Sequence, residues 1–301
     1  MAGKIHSRIG IVGLGIMGSP MARNLLRAGW QVKGCDLDEA SLNKLVANGG
    51  TSCSTPTQVA EDADVVLVMV QNTVAIDEVL FGEHGVVHSL GQGGVIWLGS
   101  TVSPQYATGV ESRLRELGLN FLDGPVSGGM SGAEEGLLTV LVGGESDAFN
   151  IVKPAMLACA KHVYHVGKAG SGSKFKAVNQ LLTASHIALT AEALALAKSA
   201  HLDLTLLMQV IEQSAGNSYQ FKKRAPRMVA GDHQRRATID LFRKDLAIAL
   251  DIARETCLPL PLTSTAHQLF SLAAGLGHGN ESDTTIMNVY DGFLSQSSKA
   301  A

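Results

Sequence analysis

Lys176 opens a polar stripe. Lys176, Asn179, Gln180, Thr183 and His186 recur at i, i+3, i+4, i+7 and i+10, which is one side of a helix. Their neighbours Ala177, Val178, Leu181 and Leu182 are apolar. An amine and two amides set in apolar surroundings are costly unless they have partners or bind something. The chemistry a lysine offers there is proton transfer. A free lysine has a pKa near ~10.4, so burial or a nearby cation must depress it for work near neutrality. The alternative is a lysine that snorkels from a solvated face. What precedes the helix favours chemistry.

Two glycine-bearing segments supply the rest of such a site. The first is G-L-G-I-M-G, with Gly13, Gly15 and Gly18 at GxGxxG spacing around Leu14, Ile16 and Met17. The first glycine permits a tight turn, the second lets backbone approach a pyrophosphate, and the third lets helix and strand pack closely. The helix that follows offers free amides and a partial positive charge to phosphates. Asp36 closes the next strand pattern, QVKGCD, and suits the ribose hydroxyls of NAD; it repels a 2′-phosphate, and Leu37 offers no arginine to one. A helix cap is the competing role for Asp36, and Asp38 is placed to share it. The second segment, DGPVSGGMSGAEEG at 123–136, follows a strand pattern as a loop whose amides form an anion-binding concavity.

The elements that must position these residues alternate. Strand patterns at 8–13, 31–36, 64–70, 94–100 and 119–123 are interleaved with helical ones. The run DVVLVMV has no polar side after its first residue, as in a parallel strand covered on both faces. The carboxyl ends of such strands border the ligand crevice, which places Val70, Gln71, Asn72, Ser100, Thr101 and Asp123 there. Capping is the competing role for each Ser, Thr and Asn. A strand LLTVLVGG, a helix at 145–159 and a short strand HVYHVG follow, and His162 and His165 alternate with apolar residues as structural side chains. After residue 200 only helical spacing remains: 203–213, 217–230, 239–256, 261–274 and 281–291. The expectation is an α/β chain with a doubly wound parallel Rossmann sheet over 1–168. An all-helical domain over 169–301 follows, joined by a long helix at about 174–200.

Composition agrees. At 301 residues the chain exceeds the size at which one core keeps growing, and 46% hydrophobic residues fill two. A formal charge of −3 gives no global pull toward nucleic acid or anionic membrane. Eight lysines and arginines lie between 222 and 244, most of them on a solvated face; Lys244, in the amphipathic run IDLFRKDLAIAL, is the better anion-binding candidate. Cys35, Cys53, Cys159 and Cys257 stand apart without CxxC spacing, and no signal-peptide pattern begins the chain. Reduced thiols and a cytoplasmic location follow. No HExxH and no histidine cluster suggests a metal.

The motifs together resemble the 3-hydroxyisobutyrate dehydrogenase superfamily of β-hydroxyacid dehydrogenases. They are GLGIMG, DGPVSGG, LTVLVGG, GKAGSGSKFKAVNQ and KDL, and the similarity spans nearly the whole chain. AGNSYQF, DLFRKDL and LPLPLTSTA resemble the L-threonate dehydrogenase branch. The resemblance implies that Lys176 is the catalytic residue and that Asn179 helps hold the substrate. It implies that Ser127, Gly128 and Gly129 bind the substrate carboxylate and that Thr101 and Lys244 contact the cofactor. Gln180 departs from the common Lys-x-x-Asn-Asn, and the threonate branch implies a histidine where Asn179 stands.

The expected function is NAD-dependent oxidation of a small anionic hydroxy acid, L-threonate or a similar four-carbon sugar acid or a 3-hydroxy acid, without metal. Three alternatives stay open: a 2-hydroxy-3-oxopropionate reductase, an imine reductase on the same fold, and a non-catalytic NAD-binding module. A helix as apolar as 174–200 also implies a homodimer or homotetramer.

Overall fold

The structure, a computed structural model, describes residues 8–292; the outer ends of both expected domains, 1–7 and 293–301, lie outside these. The described residues form two compact units that divide between Lys176 and Ala177.

The first unit is built on β1 (Arg8–Val12), whose glycine-rich exit turns into α1 (Gly18–Arg27). β2 (Gln31–Cys35), α2 (Glu39–Ala47), β3 (Thr51–Ser52), α3 (Pro56–Ala60), β4 (Val65–Val68), α4 (Thr73–Phe81), β5 (Val95–Leu98), α5 (Pro104–Glu116) and β6 (Asn120–Asp123) continue the alternation. These six strands are mutually parallel in the order β3-β2-β1-β4-β5-β6. Every residue of β4 and β5 is buried, because helices cover both faces of a parallel sheet. The chain reverses its direction of winding at β1, between β2 and β4, which is where such sheets open a crevice at their carboxyl edge.

Beyond β6 the sheet is mixed rather than parallel throughout. β7 (Val126–Ser127) and β6 both pair antiparallel with β8 (Leu138–Gly144), while β9 (Ala160–Gly167) pairs parallel with its other edge. β6 and β7 are thus one strand line interrupted at Gly124–Pro125, where a proline cannot donate to the ladder. The segment 123–136, read above as a loop, holds β7 and a short helix α6 (Gly129–Glu135). Two-residue strands such as β3 and β7 are too short to show a period of two, so only their pairing reveals them. α7 (Ser146–Cys159) connects β8 to β9, and His165 stacks on Phe149 and bonds the Gly144 carbonyl.

α8 (Ser171–Ser199) starts three residues earlier than its apolar pattern and runs from the first unit into the second. By length and composition it could cross a membrane, but half of that apolar window is buried inside the protein. The second unit then contains α9 (Leu204–Glu212), α10 (Tyr219–Ala230), α11 (Ile239–Glu255) and α12 (Pro261–Ala273) around a core that includes Ile187, Leu194, Phe242, Phe270 and Ile286. The last segment, Asp283–Tyr290, is a 3-10 helix instead of an α-helix. Its opening Ser282–Thr285 is buried and turns tightly, with Thr285 Oγ1 donating to the Ser282 carbonyl. Part of the basic run is likewise not a solvated face. Arg224 and Arg227 pair with the fully buried Asp283, and Arg227 and Arg236 with Asp232.

Candidate active site

The glycine-rich turn shows why each glycine stands where it does. Gly13 has φ +95°, and a Cβ there would lie 2.3 Å from the Met69 carbonyl oxygen. A Cβ on Gly18 would come within 1.9 Å of the Gly13 oxygen, so helix and turn touch through backbone alone. Gly15 faces open space, which leaves room for a ligand's phosphates at the start of α1. Ile16 is exposed and Leu14 is buried in the core beneath.

Asp36 is tied to this turn. Its Oδ2 accepts the Leu14 amide at 2.5 Å and its Oδ1 the Asp38 amide at 2.9 Å. Asp38, not Asp36, caps α2, accepting from Ala40 and Ser41. Asp36 therefore stands half-buried at the tip of β2, beside the glycine turn, with the fully exposed Leu37 after it. A carboxylate next to an open, amide-lined turn fits a dinucleotide with free ribose hydroxyls.

Across the crevice the picture is divided. Asn72 accepts the Ala75 amide and so caps α4; Gln71 beside it is exposed. Ser100 is buried and donates to the Val70 carbonyl at 2.6 Å, which links the ends of β4 and β5. Thr101 follows β5, partly buried. Asp123 does not border open space: it is 1% exposed and accepts the Ser173 amide at 2.7 Å.

The second glycine segment meets Lys176. The Lys176 side chain is buried, and its Nζ donates to the Val126 carbonyl at 2.7 Å. The next residues are Ser127, Gly128 and Gly129, the two glycines at φ +134° and +65°. A Cβ at Gly128 would press on Leu138, whereas Gly129 has space and needs only its backbone conformation. Trp97 Nε1 holds the Gly124 carbonyl at 2.8 Å, and the Leu141 amide that of Pro125. These bonds tie the carbonyls of the turn to β5 and β8.

Farther along α8, a carboxylate sets the polarity of a side-chain chain. Asp245, 1% exposed, can only accept when ionised. Gln180 therefore donates Nε2 to it at 2.6 Å, and Gln180 Oε1 accepts from Asn179 Nδ2 at 3.0 Å. Lys244 lies 2.9 Å from the same carboxylate. Sequence reasoning named Lys244 and Asn179 but not Asp245. Its signal was a carboxylate at core spacing, three residues from Phe242 and four from Ala249, where an unpartnered charge is costly.

Comparison with known proteins decides the family. The family pattern described as the NAD binding domain of 6-phosphogluconate dehydrogenase matches residues 8–167. That described as NAD-binding of NADP-dependent 3-hydroxyisobutyrate dehydrogenase matches 170–290. The L-threonate dehydrogenase of Cupriavidus necator is 41% identical over 285 residues, 94% of this chain and 96% of that protein. The chain belongs to the 3-hydroxyisobutyrate dehydrogenase family. A crystal structure of 3-hydroxyisobutyrate dehydrogenase from Salmonella typhimurium superposes with a TM-score of 0.89 at 38% identity, covering 94% of this chain and 99% of that one. The 2-hydroxy-3-oxopropionate reductase of Escherichia coli is 36% identical over 90% of this chain and 92% of its own.

Membership in the 3-hydroxyisobutyrate dehydrogenase family makes this chain an NAD-dependent hydroxyacid dehydrogenase with a Rossmann nucleotide-binding domain. The open Gly15 and the carboxylate of Asp36 fit that cofactor on the geometry of the chain itself.

Proposed function

We propose that the chain oxidises L-threonate, or a four-carbon sugar acid close to it, with Lys176 as the general acid–base group. One observation carries this reading: the buried Lys176 amine lies against the Val126 carbonyl, at the threshold of the Ser127–Gly129 turn. Burial disfavours charge on an amine, and an amine beside a carboxylate-binding turn can reach the hydroxyl of a short hydroxy acid. The similarity to L-threonate dehydrogenases over 94% of the chain supports the substrate.

In this mechanism the segment Ser127, Gly128 and Gly129 receives the substrate carboxylate, and Asn179 holds the substrate further. Lys176 Nζ takes the hydroxyl proton as the carbon is oxidised, and returns it in the reverse direction. The dinucleotide, when bound, supplies the hydride acceptor. Gly13 through Gly18 are assigned to its pyrophosphate and Asp36 to its ribose. Val70, Gln71, Asn72, Thr101 and Lys244 are assigned to the rest of it.

The test is Lys176→Ala. Turnover should fall ~10²–10⁴-fold while NADH still quenches the protein's fluorescence, the usual worth of a general acid–base group. Wild-type turnover in that variant removes Lys176 from the chemistry. A panel of three- and four-carbon hydroxy acids, followed by NADH absorbance, checks the substrate. Faster reduction of 2-hydroxy-3-oxopropionate than oxidation of L-threonate would replace the dehydrogenase reading by the reductase one.

We also propose a homodimer or homotetramer. Phe175, Val178, Leu182, Leu189 and Leu196 are each more than half exposed along one side of α8. Their spacing follows the seven-residue repeat by which one helix covers another, and a second copy of this chain is the occupant that repeats the same row.

A further inference from the structure

We propose that Asp123 is a positioning residue: it clamps the first turn of α8 onto the β6–β7 strand line and so holds Lys176 at the Ser127–Gly129 turn. Two long-range hydrogen bonds make the clamp. Asp123 Oδ2 accepts the Ser173 amide, and Lys176 Nζ donates to the Val126 carbonyl, each at 2.7 Å. Both join residues fifty positions apart. Residues 123 and 126 are thereby matched to 173 and 176, at both ends of one helical turn.

The carboxylate suits that place. The first amides of a helix have no partner within it, and its amino end carries partial positive charge. The surroundings are cut to fit the acid. A Cβ on Gly143 would come within 2.2 Å of Asp123 Oδ1, and one on Gly172 within 2.2 Å of the Asp123 carbonyl oxygen. β8 and the start of α8 therefore make their closest backbone approach to the aspartate at glycines. The arrangement is not free: burial outweighs the backbone donors and pushes the carboxyl up to about 6. At 1% exposure Asp123 does not itself reach a ligand, so its influence on the reaction passes through what it holds.

The inference rests on the assignment of Lys176 as the acid–base group, and a double-mutant cycle separates the two. Asp123→Ala and Asp123→Asn are made in the wild type and in Lys176→Ala, and kcat is measured on L-threonate, or on 3-hydroxyisobutyrate should the wild type prefer it. In the wild type Asp123→Ala should lower kcat roughly 10–100-fold, the scale of a misplaced catalytic group, with NADH affinity and KM within about threefold. Asp123→Asn keeps an acceptor for the Ser173 amide and should restore most of that loss. In Lys176→Ala, Asp123→Ala should cost nothing further, because groups that act as a unit are not additive. Equal losses in both backgrounds, or wild-type kcat in Asp123→Ala beside a crippled Lys176→Ala, overturn the positioning role alone. Wild-type kcat in Lys176→Ala overturns the assignment of the lysine instead. Should Asp123→Ala fail to bind NADH, Asp123→Ser, too short to reach the amide, takes its place in the cycle.

Discussion

At the scale of single residues, two carboxylates are held in opposite ways. Asp36 accepts two backbone amides at the edge of the glycine turn and stays half-exposed. There it can accept ribose hydroxyls and repel a 2′-phosphate. Asp36→Ala should narrow the preference for NAD over NADP, read as the ratio of kcat/KM with each. A wild type that already favours NADP would remove that role. Asp123 is buried instead, and its carboxyl lies near 6 rather than 3.8. The folded chain thus holds that proton more tightly than the unfolded one. Its contribution to stability is complete below about pH 4 and is lost as pH rises through about 6. A displacement of that size corresponds to roughly 3 kcal/mol. The stability of the wild type relative to Asp123→Asn, measured by urea unfolding, should therefore fall between pH 4.5 and pH 7. A difference independent of pH would mean that the carboxyl titrates normally.

At the scale of elements, close backbone approach matters more than side-chain packing wherever the site is built. Gly18 lets α1 touch the turn that follows β1. Gly18→Ala forces a methyl against the Gly13 oxygen, and overpacking of this kind costs about 1–3 kcal/mol. The variant should melt lower and bind NADH more weakly, as fluorescence titration against temperature will show; unaltered binding would mean that the turn adapts. The glycine spacing was legible in the sequence because the motif carries its own geometry. The interruption of the β6–β7 line was not, since Gly124 and Pro125 look like any turn until β8 is seen to pair with both flanks. Nor was the basic run. Arg224 and Arg227 looked solvated because their partner Asp283 lies more than fifty residues away.

At the scale of the whole molecule, α8 has two demands on one cylinder. One side carries the polar stripe of Lys176, Asn179 and Gln180, and another exposes the apolar row from Phe175 to Leu196. An apolar row of that length on a monomer marks an interaction surface. Light scattering coupled to size exclusion should give a mass at least twice 31.5 kDa, and Leu182→Glu together with Leu189→Glu should reduce it. A wild-type mass of one chain would end the oligomer proposal.

The alternation of strands and helices, the glycine turn and the polar stripe headed by Lys176 could all be read from the sequence. Each is local: a period, a spacing or a backbone requirement confined to a few neighbouring residues. Only the tertiary structure could show that Asp123 faces the Ser173 amide instead of a ligand, or that Asp245 orients Gln180 and Asn179. The Asp123–Ser173 and Asp245–Gln180 bonds join residues fifty or more positions apart. What selects them is the cost of burying a charge without a partner, a cost that exists only once folding has removed the water.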